Sequence, residues 1–218
     1  MRLLPPRGTQ RRKNALKNFG ALVALMVLPV VMRTGTWASA SESESSLADN
    51  LPVAAIAPDD GREAFRKAYA VLMHPRCMNC HPQGDVPLQG EDSRLHPQNV
   101  KRGVDGKGLF ALKCTNCHQP TNLPGENMPP GHPEWHLPPA DMPMVFEGRS
   151  PAELARQLKD PKHNGGKTLD EILHHVTHDS LVLTGWNPAE GLSKPPMSHE
   201  EFVKLMREWI EKGAGIPE

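Results

Sequence analysis

Residues 76–85 read "RCMNCHPQGD", two cysteines separated by two residues with a histidine directly after, and from Lys113 the chain repeats the arrangement as "KCTNCHQPTN". These two pentapeptides, Cys77-Met78-Asn79-Cys80-His81 and Cys114-Thr115-Asn116-Cys117-His118, hold every cysteine of the protein. Three chemistries use paired cysteines at this spacing. A four-thiolate zinc site suits C-x2-C pairs, but the 33 residues between the pairs exceed the usual ~15–20 and the repeated histidine has no role in it. A redox dithiol is compatible with export, yet nothing around the pairs resembles a thioredoxin-type βαβ unit. Covalent haem attachment uses both thiols, their spacing and the histidine. The thiols form thioethers to the haem vinyl groups, and the following imidazole ligates the iron from one face. The expected cofactors are therefore two covalently bound haem c groups on Cys77, Cys80, Cys114 and Cys117, with His81 and His118 as proximal iron ligands.

The amino terminus agrees with that chemistry, which follows export. A basic stretch without acidic residues, "MRLLPPRGTQRRKNALK", precedes the apolar run Phe19–Met32, and Ala38-Ser39-Ala40 supplies a small-residue cleavage site. This is the pattern of a secretory signal peptide over residues 1–40, cut after Ala40 for delivery to the periplasm. Fourteen apolar residues interrupted by Pro29 are short for a bilayer span of about 20. Nothing after residue 40 reads as a transmembrane segment. Removing the leader takes seven of the 25 basic residues and none of the 25 acidic ones, so the mature chain carries 18 against 25, a formal net charge of −7. No basic patch with interleaved aromatics is left for nucleic acid. An acidic surface favours a redox partner with a positively charged docking face, mainly through association rate.

Aromatic residues make up 5% of the chain, while Pro (23) and Gly (18) together supply 41 of 218 residues. That is thin material for a packed core, and a large apolar cofactor accounts for it. Residues 41–57 read as a flexible lead-in and 58–218 as the cytochrome domain, with a haem-binding part (58–149) and a C-terminal helical part (150–218). A first helix is expected from an N-cap at Asp59 or Asp60 to about Met73, with Phe65, Tyr69 and Leu72 on one face and Pro75 ending it. "GLFALK", Gly108–Lys113, is expected to form a turn of helix. Residues 82–108 and 119–149 read as long loops. Three S/T-x-x-E capping boxes, at Ser150, Thr168 and Ser198, announce three later helices, the last stopping near Gly213. No stretch alternates with period 2 over a useful length. The fold class is all-α, cytochrome c-like, with few short helices and long Pro/Gly-rich loops wrapped on two haems.

The distal iron ligands must come from the remaining histidines and methionines. The candidates, in order, are Met142, His96 and His178, with Met144 beside them. Met142 and Met144 lie in a stiff Pro-rich loop, and His96 lies far enough past His81 to fold over a ring. His178 shares a helix face with His174, and His175 is offset from both. Trp135 and Trp186 are aromatics able to pack against a haem edge or in ordinary clusters.

With both motifs placed, the chain resembles small exported cytochromes labelled as the cytochrome subunit of isoquinoline 1-oxidoreductase-type molybdenum hydroxylases. The stretches that carry the resemblance are "HPRCMNCHPQGDVPLQG", "NVKRGVDGKG", "CTNCHQPTNLPGENMPPGHPEWHLPPADMPM", "ELARQLKDPKHNGG" and "HDSLVLTGWNPAEG". The resemblance implies a periplasmic electron carrier, not an enzyme. It would accept electrons from a molybdenum hydroxylase-type dehydrogenase and pass them to the respiratory chain. The alternative is a dihaem enzyme such as a peroxidase with one open-coordination haem, for which Glu134, His132 and His136 are the available acid–base groups.

Overall fold

The computed structural model describes residues 59–218. The expected signal peptide, its cleavage site and the expected lead-in lie outside the described residues. Six short helices are present: α1 Arg62–Leu72, α2 Pro75–Met78, α3 Pro151–Lys159, α4 Leu169–His178, α5 Ser180–Leu183 and α6 His199–Glu211. Two 3-10 turns, Cys114–Asn116 and Thr184–Trp186, join them. The fold is small and mostly helical, and none of these helices is long and apolar enough to cross a membrane.

The core sits where α1, α3, α4 and α6 meet. Phe65, Ala68 and Val71 of α1 pack with Leu154 of α3, Ile172 and Val176 of α4, and Phe202, Met206 and Trp209 of α6. Each fully buried large apolar side chain contributes about 1.5–3 kcal/mol. Phe65 and Trp209 form its centre, ring centroids 4.6 Å apart. Thus α1, from the motif-bearing half of the chain, shares one core with the three later helices.

Helix α1 takes its N-cap one residue after Asp60 and two after Asp59. Gly61 is its N-cap, at φ 82°. A Cβ there would lie 2.7 Å from the Trp209 backbone, so close packing on α6 selects glycine. The aspartates still serve the helix start: Asp59 accepts from the Gly61 N–H and Asp60 from the Arg62 N–H and guanidinium. Pro75 ends α1 but also opens α2, with His74 as N-cap in the extended conformation that proline imposes on its predecessor.

The capping boxes at Ser150 and Thr168 are complete, each hydroxyl accepting from the N3 amide while the N3 glutamate accepts from the cap amide. Ser198 makes the first of these bonds, to Glu201 N–H at 3.1 Å.

"GLFALK" is not a helical turn. Gly108–Leu109 (β3) and Leu112–Lys113 (β4) pair as an antiparallel hairpin about Phe110-Ala111. Gly108 sits at φ 88°, with its missing Cβ 2.4 Å from the Leu112 carbonyl, a close approach that helix geometry lacks. A second hairpin pairs Leu88–Gln89 (β1) with Arg94–Leu95 (β2). Strands of two residues are too short to leave an alternating pattern, so the sequence gives no sign of them.

The long loops are tied by specific bonds. Arg102, 2% exposed, donates to the carbonyls of Pro138, Gly84 and, more weakly, Pro82. Leu137 N–H donates to Gly106 O, and Phe146 N–H to His81 O. These bonds hold the segment after the first motif against the one after the second.

Candidate functional site

Both pentapeptides share a turn between their cysteines. Cys80 N–H donates to Cys77 O and Cys117 N–H to Cys114 O, each at 3.2 Å. The turn carries the histidine out behind the second cysteine: His81 N–H bonds Met78 O and His118 N–H bonds Cys114 O. All four cysteines are free thiols. Burial pushes the Cys77 and Cys80 thiols up, to about 12 and about 11, so both are protonated at neutral pH. Among the described residues no three His, Cys, Asp or Glu side chains converge as a metal ion would require.

The two motif histidines are held in matching fashion. His81 Nδ1 donates to Met144 O at 2.7 Å, and its ring stacks on Phe146 at 3.9 Å with planes 8° apart. His118 Nδ1 donates to Pro130 O at 2.7 Å, and its ring stacks on Trp135 at 4.3 Å and 7°. A carbonyl at Nδ1 fixes the proton there and leaves the Nε2 lone pair free, the arrangement by which proteins orient a metal-binding imidazole. Burial keeps both rings neutral, pushing His81 down to about 4 and His118 below the usual histidine value, although the two carbonyls oppose it. Each acceptor carbonyl is the third residue of a Met-Pro-x triplet, Met142-Pro143-Met144 for His81 and Met128-Pro129-Pro130 for His118. That repeat is visible in the sequence, but nothing short of the fold tells which atom of it matters.

A cavity of ≈ 380 Å³ lies against the second motif, walled by Cys114, Cys117, His118 and Trp135, and also by Cys80 of the first motif and by His96. It falls within the ~300–1,000 Å³ of small-molecule and cofactor sites. Three residues on its wall keep a buried polar atom with no hydrogen-bond partner: Arg76 Nε, Asn79 Oδ1 and His96 Nδ1. Arg76 is only 8% exposed in its side chain, and its guanidinium pairs with Glu91 at 2.8 Å and donates to Gly90 O at 3.4 Å.

The sequence-derived distal candidates separate. His96 joins the cavity wall with His118. Met144 contributes its carbonyl behind His81, at φ 46°, while its side chain packs on the helical core. Met142 is half-buried, with its Cγ near Gly165 in the loop before α4. His178 is exposed on α4, its ring 4.7 Å from that of His174. The half-buried His175 of the same helix has Nδ1 3.1 Å from Asp179 Oδ2, and it lies close enough to His81 to disfavour charge there. Sequence spacing set it aside as the odd member of the three, because periodicity does not say which flank of a helix meets the loops.

His132 is buried with both ring nitrogens engaged: Nε2 at 3.0 Å from Ser180 Oγ, Nδ1 accepting from the Glu134 N–H. His136 Nδ1 donates to Glu134 O. The Glu134–His132–His136 group thus braces its own loop. Comparison with protein families, with curated proteins and with solved structures finds no match for this chain.

Proposed function

We propose that this protein is an exported, periplasmic electron carrier with two covalently attached c-type haems. The observation that carries the reading is the matched pair of motif histidines, each with Nδ1 bonded to a backbone carbonyl, Nε2 unengaged, and two protonatable thiols one turn away. The donor set fits the group. Cys77, Cys80, Cys114 and Cys117 would carry the thioethers, and His81 and His118 would ligate iron through Nε2. The cavity beside the second motif, with its largely apolar wall, suits an apolar ring.

When bound, each haem supplies a one-electron Fe(III)/Fe(II) couple. The chain's own contribution is to fix the imidazoles, to raise their basicity through the two carbonyls, and to shield them behind Phe146 and Trp135. Cys80 lines the same cavity as Cys114 and Cys117, which supports close approach of the two centres. The donor of electrons would be a molybdenum hydroxylase-type dehydrogenase with a positively charged docking face, and the acceptor the respiratory chain. Both ring nitrogens of His132 are engaged, so in the peroxidase alternative the acid–base groups would be the Glu134 carboxylate and His136.

The test is the haem content of exported protein. The full-length chain should give two haems per polypeptide by pyridine haemochrome assay and intact mass. Cys77→Ser/Cys80→Ser and Cys114→Ser/Cys117→Ser should each retain one. Native protein without covalent haem would sink the proposal. Peroxide turnover with ready cyanide binding would move it to the enzyme reading.

A further inference from the structure

On the reading that the cavity beside the second motif houses the second haem, we propose that His96, on the wall of the same cavity as His118, is the second protein ligand to its iron. The ligand would then come from the segment following the first motif rather than from the second motif's own loop.

Four observations carry this. The His96 ring lines the same cavity as Cys114, Cys117 and His118. Its backbone is pinned on both sides, the N–H donating to Pro87 O at 3.0 Å and the carbonyl accepting from Asn99 N–H at 2.9 Å, directly after the β1–β2 hairpin. An iron ligand needs that rigidity. Its Nδ1 is buried with no hydrogen-bond partner, and the Gln98 side chain lies within reach of the ring.

The fourth observation is that His96 stands alone in this. Among the described residues, each other buried or half-buried histidine has a polar partner on a ring nitrogen. They are His74 with Arg76 N–H, His81 with Met144 O, His118 with Pro130 O, His132 with Ser180, His136 with Glu134 O, His175 with Asp179 and His199 with Val176 O. Leaving a buried nitrogen unpaired is destabilising. An imidazole left unpaired in this way, near enough to His118 to disfavour charge there, is available to a group bound beside it.

The competing ligand is Met128, whose thioether-bearing side chain lines the same cavity. Its backbone, however, lies two residues before the Pro130 carbonyl that grips His118 from behind. A ligand on the far face is better supplied from a segment outside that triplet, and His96 is such a residue.

The experiment uses the full chain matured with haem, in native, His96→Ala, His96→Met and Met128→Leu forms, with haem counted first. Two haems in every form establish that attachment is intact. No haem in the native protein would instead defeat the underlying cofactor reading. With two haems bound, low-temperature paramagnetic resonance of the native protein should show at least one two-imidazole ferric centre. His96→Ala should convert one centre to high spin, and added imidazole should return it to low spin. Met128→Leu should leave both centres low-spin. His96→Met should raise one midpoint potential, because thioether ligation favours the ferrous state. Unchanged spectra and potentials in both His96 variants would overturn the assignment, as would a high-spin centre created by Met128→Leu. If His96→Ala accumulates poorly, the native resonance spectrum and the His96→Met potential still decide the matter.

Discussion

His81 and Phe146 lie face to face, ring centroids 3.9 Å apart and planes within 8° of parallel, and the Phe146 N–H donates back to the His81 carbonyl at 2.9 Å. Two residues earlier, Met144 accepts the His81 Nδ1 proton. One short loop therefore holds the imidazole by its face, its edge and its backbone. Phe146 is 5% exposed and also belongs to the helical core, so the first motif and the four-helix cluster are mechanically joined through it. Phe146→Ala should lower unfolding stability by about 3–5 kcal/mol, the range for a buried phenylalanine truncated to alanine. Phe146→Leu should cost less and should still perturb the His81 centre spectroscopically. Chemical denaturation with parallel absorbance spectra measures both; a stability loss below about 1 kcal/mol for the alanine variant would contradict the packing described.

The second motif has its own sensitive point in Gly131. A Cβ added there would lie 2.0 Å from the Thr121 carbonyl carbon and 2.4 Å from Asn122 N, both backbone atoms that cannot yield cheaply. Gly131 follows Pro130, whose carbonyl fixes His118. Gly131→Ala should displace that carbonyl and alter the His118 centre while leaving the His81 centre unchanged. Gly84 faces open space, so Gly84→Ala is the control and should fall within about 0.5 kcal/mol of the native protein. Spectra that change equally at both centres would refute the local argument.

Arg102 should prove structurally costly to remove. Its guanidinium is buried and its strongest bonds, 2.7 Å to Pro138 O and 3.1 Å to Gly84 O, join loops that are far apart in sequence. Replacement by methionine keeps the volume but leaves those carbonyls unpaired. Arg102→Met should cost about 2–4 kcal/mol, given ~1.5–3 for a hydrogen bond to a charged group and a smaller loss where water re-enters. Thermal melts compared with an exposed-site control, Arg94→Met, would measure it.

The capping boxes predict a pH response. Glu153 and Glu171 are held below the ordinary glutamate value of 4.5, first by the backbone N–H of Ser150 and of Thr168, then by the hydroxyls of the same residues. A depressed folded value means the contribution is complete above about pH 4.5, the unfolded value, and is lost as the pH falls through the lower folded value. Thermal midpoints of native protein and the Glu153→Gln/Glu171→Gln variant should therefore differ at pH 7 and converge in acid. Ser150→Ala and Thr168→Ala should each lower stability by about 0.5–2 kcal/mol at neutral pH. A midpoint difference that is constant with pH would show that the carboxylates do not act through ionisation.

Much of this molecule is readable from the chain alone, because the informative signals are local. A C-x-x-C-H pentapeptide fixes which atoms can react and where the imidazole emerges, since all five residues share one turn. The boxes at Ser150 and Thr168 place α3 and α4, since cap and glutamate are three residues apart. What depends on contact between distant segments was decided only by the tertiary structure. Gly61 replaced the neighbouring aspartates as N-cap because Trp209, far along the chain, leaves no room for a Cβ. The two hairpins escaped notice because two-residue strands carry no period. The same reason separates the candidate ligands. His81 and His118 follow from their motifs, while their carbonyl and aromatic partners come from Pro-rich loops 63 and 12 residues away. His96, ranked behind Met142 in the sequence, is distinguished by an unpaired buried nitrogen and by its place in the same cavity wall as His118. Side-chain identity and short-range spacing set the chemistry available; packing between remote segments chose which of those groups face one another.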